Sequence, residues 1–307
     1  MPVRARFGGL PPMASGILTL LVQSQVRLSP GDYASSLAPF DLRLERFDLA
    51  EKAFALRGLF EWRIAAIAAV VLSPGDTVFE GGAQLGTETF NYCALVGPGG
   101  RVVSYEADAR LSGRLISEVQ RLGVSQCHVE AKALGAEEGV ALFEVASTPE
   151  SNSGLGSLAP NDTPAEDREA VEVGTLDAAY EKHGAPALVV MDIQGGELGA
   201  LRGGKRVLSE ARPVIVLEVE SGSLRRLGGS AEELLDLLRS SGYDCWRINR
   251  LGLTKVDRPQ DDELGDWLAL PSERAGGLLD RIRPALVRGA LLPPGSSRSP
   301  LSRLRGR

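Results

Sequence analysis

The sequence is poor in the residues that build imidazole or thiolate sites. It contains two histidines, His128 and His183, and three widely spaced cysteines that form no CxxC pair. A site built from several imidazoles is therefore excluded by count, and neither a disulfide framework nor a zinc site is expected. The cysteine usage suits a reducing compartment, so we expect a cytoplasmic protein with no metal ligands.

Long apolar runs and an excess of positive charge are also missing. The best apolar runs, 17–22 and 64–72, are far shorter than the roughly 20 residues that a bilayer requires. The 34 basic residues are outnumbered by 40 acidic ones, which gives a formal net charge of -6. We therefore expect no membrane span and no nucleic-acid partner.

From about residue 58 the sequence alternates apolar strands with helices. The predicted strands cover 77–80, 101–106, 127–133, 140–146, 170–173, 188–193, 213–219 and 243–249. The predicted helices cover 59–72, 87–96, 109–122, 197–209 and 231–240. This alternation predicts an α/β fold, with a Rossmann-like, mostly parallel twisted sheet and helices on both faces. Ligands bind such a sheet beyond the carboxyl ends of its strands, so residues at those ends are the candidates for function.

A glycine-rich turn follows the first of these strands. Glu80 precedes Gly82 and Gly86, and Glu106 ends the next strand twenty residues after Gly86. Glycine lets a ligand approach the backbone closely, because no Cβ intervenes. An acid at the position of Glu106 can accept hydrogen bonds from both ribose hydroxyls of an adenosine ligand. The turn therefore predicts an adenosine cofactor.

Two cofactors fit this outline, and a turn without any ligand is the third interpretation. NAD would use Gly81-x-Ala83-x-x-Gly86, and its pyrophosphate favours a bare helix N-terminus. S-adenosylmethionine (SAM) carries an ammonium and a sulfonium, which favour a nearby carboxylate. Glu80 stands directly before the glycines, so the charge pattern favours SAM.

A second group of acids follows a buried strand in the other half of the chain. Asp192 ends the strand, and Glu197 begins the next helix after a glycine pair. Acids are favoured at helix starts, so both residues could serve only as caps. Because histidine is scarce, Asp192, Glu197 and Glu218 are the candidate catalytic bases, and Asp192 is preferred for its place at a strand end.

Seven short motifs, taken together, resemble the FkbM family of SAM-dependent methyltransferases. The matching segments are 80–86, 100–106, 133–135, 153–158, 175–177, 192–197 and 212–218. The resemblance covers roughly residues 59–250, and it implies that SAM is bound by Glu80, Gly82, Ala83, Gly86, Glu106, Ala133, Leu134 and Asp192. Glu80, Gln84 and Gln194 replace the family's usual Asp, Asn and Glu, which indicates a diverged member.

The resemblance also implies a division of the chain. We predict an N-terminal extension over 1–57, a methyltransferase domain over 58–258 and a C-terminal extension over 259–307. Residues 274–307 contain eight arginines and one acid, which predicts a flexible basic tail. The polar stretch 147–167 is too long for a simple connection, and we expect it to close over the site as a flap or to be disordered.

The implied reaction is methyl transfer from SAM to a hydroxyl on a sugar or a secondary metabolite. The partner would then be a small-molecule or glycan acceptor, and the sequence carries no signal for an oligomeric state. A NAD(P)-dependent oxidoreductase is one alternative, although the second half lacks a catalytic Tyr/Lys or His arrangement. A non-catalytic SAM-binding homologue is another. Cofactor binding separates the first two interpretations, and turnover separates the third.

Overall fold

The computed structural model describes residues 2–16, 28–44, 49–145, 156–159 and 168–305. The N-terminal part forms a three-stranded sheet from β1 (Val3–Arg4), β2 (Gly31–Ala34) and β3 (Asp41–Leu44), followed by helix α1 (Leu49–Arg57). Apolar side chains of this part pack against Phe90 and Leu115 of the central domain.

An eight-stranded sheet forms the centre of the molecule. Its strands are β4 (Thr77–Gly81), β5 (Arg101–Tyr105), β6 (Cys127–Glu130), β11 (Leu188–Met191), β12 (Val214–Glu220), β13 (Tyr243–Ile248), β14 (Leu253–Lys255) and β15 (Leu264–Pro271). They lie in the order β14-β13-β15-β12-β11-β4-β5-β6. The five strands β12, β11, β4, β5 and β6 are parallel to one another, whereas β15 runs antiparallel to both β12 and β13. The predicted mostly parallel α/β sheet is confirmed, with one inserted antiparallel strand.

Helices cover both faces of this sheet. The helices are α2 (Trp62–Val71), α3 (Thr89–Val96), α4 (Ala109–Leu122), α5 (Leu176–His183), α6 (Glu197–Arg202), α7 (Ser221–Arg226), α8 (Ala231–Ser240) and α9 (Ala275–Leu291). Side chains alternate between the faces with the period of two that a strand imposes. Val102 belongs to the buried cluster that includes side chains of α2, α3 and α9, and Val103 belongs to the one that includes side chains of α5, α6 and α8. Both faces are thus apolar, as a buried parallel sheet requires.

A smaller sheet flanks the central one. It orders β7 (Ala133–Leu134), β10 (Arg168–Gly174), β8 (Gly139–Glu144) and β9 (Ser157–Leu158). The single strand predicted at 127–133 is therefore wrong in extent. Lys132 donates its backbone N–H to the carbonyl of Glu130, and this turn sends the chain from the central sheet to the smaller one.

The helix predicted at 197–209 also differs from the structure. Helix α6 ends at Arg202, and a π-helical turn covers Val207–Ala211. A Cβ on Gly203 would lie 2.2 Å from the carbonyl oxygen of Gly135, so the chain approaches another backbone closely where the helix stops. Asp177 then accepts backbone N–H groups of Arg206 and Val207, which starts the new turn.

The C-terminal part contains a strand and a helix that the sequence analysis did not predict. Strand β15 lies inside the central sheet, and α9 packs on α2 with Ile282, Leu286 and Ala290 buried. The spacing of four residues is that of one helix face, but the arginines between these positions obscured it. Arg281 donates to the carbonyl of Val70, near the end of α2 where carbonyls lack helical partners. The basic segment is therefore a packed helix over 275–291, while the three-part division of the chain stays a prediction.

Among the described residues, no helix combines the length and apolarity that a bilayer crossing demands.

Candidate functional site

A cleft opens at the carboxyl ends of β4, β5 and β11. One part of it, the main lobe, spans about 980 Å³, a volume that includes space open to solvent. Three loops and the smaller sheet form its walls. The lining residues predicted from the sequence are Glu80, Gly82, Ala83, Glu106, Ala133, Leu134 and Asp192. The structure therefore brings together residues that lie more than a hundred positions apart in the chain.

Gly82 lets the glycine-rich turn lie directly against the strand end that carries Asp192. Its φ is +81°, and a Cβ here would stand 1.9 Å from the carbonyl oxygen of Asp192. The backbone N–H groups of Gly82 and Ala83 both donate to the carbonyl of Tyr105, at 2.9 and 3.1 Å. No side chain fits at position 82, because both the left-handed backbone and the contact require glycine.

Gly86 has a different role from the one that the motif suggested. It also has a positive φ, +82°, and a Cβ there would lie 2.5 Å from Cδ1 of Leu115. Gly86 does not line the main lobe. The structure places it where the turn meets α4, so it permits close packing behind the cleft.

Glu80 lies at the base of the main lobe with 3% of its surface exposed. Its Oε2 accepts hydrogen bonds from the hydroxyls of Thr89 and Ser104, both at 2.6 Å. Burial raises its pKa to about 7, and these two hydrogen bonds oppose the rise. A cation entering the lobe would favour the ionised carboxylate, because an opposite charge stabilises that form.

Glu106 joins the two loops that form one wall. Its Oε2 accepts the backbone N–H of Gln84 at 2.8 Å, and its Oε1 accepts that of Asp108 at 2.9 Å. Burial raises its pKa to about 7. A carboxylate can accept about four hydrogen bonds, so each oxygen retains a lone pair for a ligand.

The facing wall is apolar. Ala133 and Leu134 are buried in β7, and Phe143 and Leu158 of the smaller sheet continue the surface. Most of the predicted flap at 147–167 lies outside the described residues, including Leu155; residues 156–159 are described, and Leu158 lines the lobe. The flap itself stays a prediction.

One side-chain amide forms hydrogen bonds to the carboxyl groups of both Asp192 and Glu218. The Nε2 of Gln194 donates to Oδ1 of Asp192 and to Oε2 of Glu218, each at 2.8 Å. Gln194 holds this position with a left-handed φ of +50°. Burial and the neighbouring carboxylate of Asp192 raise the pKa of Glu218 to about 9. Glu218 therefore holds its proton at neutral pH.

Asp192 does not cap helix α6. The residue before this helix is Gly196, and no side chain there accepts a backbone N–H as a cap. The side chain of Asp192 is exposed in the cleft instead.

Glu197 is close in sequence but does not line the cleft. It has 1% of its surface exposed, and its Oε1 accepts the backbone N–H of Ile193 at 3.0 Å. Burial raises its pKa to about 8. The structure therefore places Glu197 beneath the turn that carries Asp192, where it supports the turn.

A second part of the cleft adjoins the main lobe on the side of β12. This acidic lobe is lined by five carboxyl side chains, from Glu61, Asp192, Glu218, Glu220 and Asp266. The sequence predicted two of them, Asp192 and Glu218. Asp266 was missed because it lies on an antiparallel strand, which breaks the alternation that located the others. Glu61 has no motif around it, and Glu220 lies just beyond the motif over 212–218. Glu88, which precedes helix α3, and Tyr92, inside that helix, also lack a motif, and both line the main lobe.

The sequence matches one family model. The model, described as the methyltransferase FkbM domain, matches residues 80–245. No curated protein matches the chain significantly.

Solved structures give weaker likenesses. The methyltransferase FkbM from Methylobacillus flagellatus KT is 18% identical, with a TM-score of 0.41. The match covers 73% of this chain and 65% of that one, so the chain spans less than two thirds of that protein. The fibrillarin of Aeropyrum pernix, whose crystal structure contains natively bound S-adenosyl-L-methionine, is 13% identical with a TM-score of 0.41. That match covers 81% of this chain and 86% of the fibrillarin.

Proposed function

Since the chain belongs to the FkbM family of methyltransferases, we propose that it transfers a methyl group from SAM to a hydroxyl of a sugar or a secondary metabolite. The observation that carries this proposal is the place of Asp192. Its side chain lines both the main lobe and the acidic lobe, and so stands where a cofactor and an acceptor would meet. The NAD(P) alternative loses its support, because the family is one of methyltransferases.

The residues of the main lobe fit SAM. Glu106 retains acceptor capacity at a strand end, where a ribose would lie. The buried carboxylate of Glu80 suits the cationic part of the cofactor, and the wall formed by Ala133 and Leu134 suits its adenine ring. When bound, SAM supplies a methyl group that is already activated by its sulfonium.

The chain's own residues would then position the acceptor and take up its proton. An aligned hydroxyl can gain up to about 7–11 kcal/mol from positioning alone. With Glu218 protonated at neutral pH, the neighbouring carboxylate of Asp192 would accept the proton that the hydroxyl gives up. General-base help of this kind typically contributes about 10²–10⁴-fold. Gln194 fixes the distance between the two carboxyls, and Glu197 supports the turn beneath them.

The first test is cofactor choice. Calorimetric titration of the purified protein is expected to show binding of SAM and of S-adenosylhomocysteine, with NAD far weaker. The reason is the placement of the carboxylate of Glu80 inside the lobe, where a pyrophosphate would be repelled. Binding of NAD without any SAM signal would overturn the proposed function.

The second test is Asp192→Asn. We expect turnover to fall by about 10²-fold or more, because the amide cannot accept the proton. Affinity for S-adenosylhomocysteine is expected to change little, since the contribution is made in the transition state. The readout is tritium transfer from methyl-labelled SAM to a panel of sugars and hydroxylated metabolites.

Asp177→Asn is the matched control for this experiment. Asp177 is a capping acid, because it accepts backbone N–H groups at the start of a helical turn, and it lies outside both lobes of the cleft. Asn caps nearly as well as Asp, so the control variant is expected to retain its rate. Equal rates for both variants would remove Asp192 from the mechanism, and no transfer by the wild type to any acceptor would favour a non-catalytic homologue.

A further inference from the structure

The acidic lobe concentrates negative charge beyond what the main lobe needs for its cofactor. It spans about 950 Å³, which includes space open to solvent, and its five carboxyl groups come from four elements: the segment before α2, the turn after β11, strand β12, which supplies two, and strand β15. Among the described residues, Arg63 supplies the salt bridges to this group, to Glu61 at 3.3 Å and to Asp266 at 3.5 Å. The neutral amide of Gln194 bridges Asp192 and Glu218 there.

The register of the sheet makes this arrangement costly. Glu218 on β12 stands directly opposite Asp266 on antiparallel β15. Two ionised carboxylates in directly opposed positions would destabilise an antiparallel pair. Burial and nearby carboxylates, Glu61 among them, raise the pKa of Asp266 to about 7. A positive charge between these strands would favour the ionised form of both carboxyl groups.

An unpaired hydroxyl lies where the two lobes join. Tyr92 is fully buried and lines the main lobe beside Glu61, a residue that the two lobes share. Its hydroxyl oxygen has no hydrogen-bond partner among the described residues. Burial and the carboxylates of Glu80, Glu88, Glu61 and Asp266 raise the pKa of this phenol. A buried hydroxyl in a cleft costs free energy until a ligand pairs with it.

Much of the remaining lining of the acidic lobe is apolar. Phe60, Ile64, Val190 and Val216 line it together with the carboxyl groups and the side-chain amides of Gln84 and Gln194. Carboxylates spread over hydrocarbon walls suit an organic cation, whose carbon frame contacts the walls while its charge meets the acids. An aromatic ring such as that of Phe60 also attracts an ammonium group.

We infer that the acceptor bears a protonated amine beside the hydroxyl that is methylated, and that the acidic lobe binds this ammonium group. The inference rests on the proposed function for its account of the neighbouring lobe. Glu218 and Asp266 would accept hydrogen bonds from the ammonium group, and Glu220 would lie at the rim of the lobe. Asp192, at the junction, would then face the hydroxyl.

Three sugars that differ at one carbon test the inference. The protein saturated with S-adenosylhomocysteine is titrated with glucosamine, N-acetylglucosamine and glucose. Glucosamine is expected to bind about tenfold more tightly than either neutral sugar, which is the scale of one charge-assisted hydrogen bond. Equal affinities for the three sugars, or no binding of glucosamine at millimolar concentrations, would overturn the inference.

Single-residue variants test whether the acidic lobe is the source of the preference for glucosamine. Asp266→Asn is expected to weaken glucosamine binding about tenfold. Glu220→Gln, made separately at the rim of the lobe, is expected to weaken it about tenfold or less. Both variants are expected to leave S-adenosylhomocysteine binding intact. Asp262→Asn is the matched control, because this exposed acid lies four residues from Asp266 and outside the lobe. An equal loss in the control would show a general charge effect and contradict the inference, as would displacement of glucosamine by stoichiometric Mg²⁺.

The two hypotheses fail in different ways. Loss of S-adenosylhomocysteine binding by the wild type would overturn the proposed function. Intact S-adenosylhomocysteine binding with no preference for the amine would overturn the inference alone.

Discussion

At the scale of single residues, Glu106 shows how structure changes the meaning of a sequence prediction. The motif predicted a ribose acceptor at a strand end. The structure adds that both carboxylate oxygens of Glu106 already accept hydrogen bonds, from the backbone N–H groups of Gln84 and Asp108. The side chain therefore shapes the cleft and has capacity left for a ligand, and its removal affects both properties.

Glu106→Ala is accordingly expected to weaken binding of S-adenosylhomocysteine by about 1.5–3 kcal/mol, the range for hydrogen bonds to a charged group. It is also expected to lower the free energy of unfolding, because two backbone N–H groups lose their acceptor. Calorimetric titration and denaturant unfolding measure the two effects. Glu130→Gln serves as the control, since Glu130 ends the neighbouring strand and pairs with Lys182 outside the main lobe. Unchanged affinity in Glu106→Ala would place the ribose elsewhere.

The residues that sequence analysis found share one property. Glu80, Gly82, Glu106 and Asp192 each stand at the end of a parallel strand, where position along the chain predicts position in space. Asp266 begins an antiparallel strand, and Tyr92 lies inside a helix, so neither place follows from that rule. What they contribute depends on register and packing, which only the folded chain displays.

At the scale of elements, helix α9 is the clearest difference from expectation. Arginine content predicted a flexible tail, whereas Ile282, Leu286 and Ala290 form one buried face. Arginines of the C-terminal segment have a structural use: Arg281 of the helix donates to the carbonyl of Val70, and Arg303, beyond the helix, donates to the carbonyl of Leu72 at the end of α2, at 2.9 Å. Charge composition alone does not distinguish a solvated tail from a helix that caps its neighbour.

Leu286→Ala should therefore cost about 2–5 kcal/mol of the free energy of unfolding, as a buried leucine in a packed core does. The adjacent Val287 has 40% of its surface exposed, and Val287→Ala should change stability by about 0.5 kcal/mol or less. Urea titrations of the two variants measure the difference. Matching midpoints for both variants would indicate that α9 does not pack on α2 in solution.

At the scale of the whole molecule, buried carboxyl groups in and beneath the cleft make stability depend on pH. Burial raises the pKa of Glu80 to about 7, and that of Glu197 to about 8. In the unfolded chain a glutamate titrates near 4.3. Between these values the folded chain holds more protons than the unfolded chain, so unfolding releases protons. The free energy of unfolding is therefore expected to fall as pH rises through this window.

Calorimetric melting temperatures should consequently be lower at about pH 8 than at about pH 6. Glu197→Gln removes one of the titrating groups and should reduce the slope by up to about 1.4 kcal/mol per pH unit. Glu232→Gln, at the exposed start of α8, is the control and should leave the slope as it is. A melting temperature that rises over the same interval would contradict the prediction, because it would require the carboxylates to be stabilised by folding.

The inserted strand β15 also has a consequence for biosynthesis. Residues 264–271 fill the space between β12 and β13, yet both of those strands leave the ribosome earlier. Until β15 emerges, β12 presents an unpaired apolar edge, which is the kind of surface that promotes aggregation. Premature pairing of β12 with β13 would have to be undone before β15 could enter. The nascent chain therefore acquires the parallel strands of its main lobe first and Asp266 late. A chaperone would be most useful in the interval between the two, while the edge of β12 is unpaired.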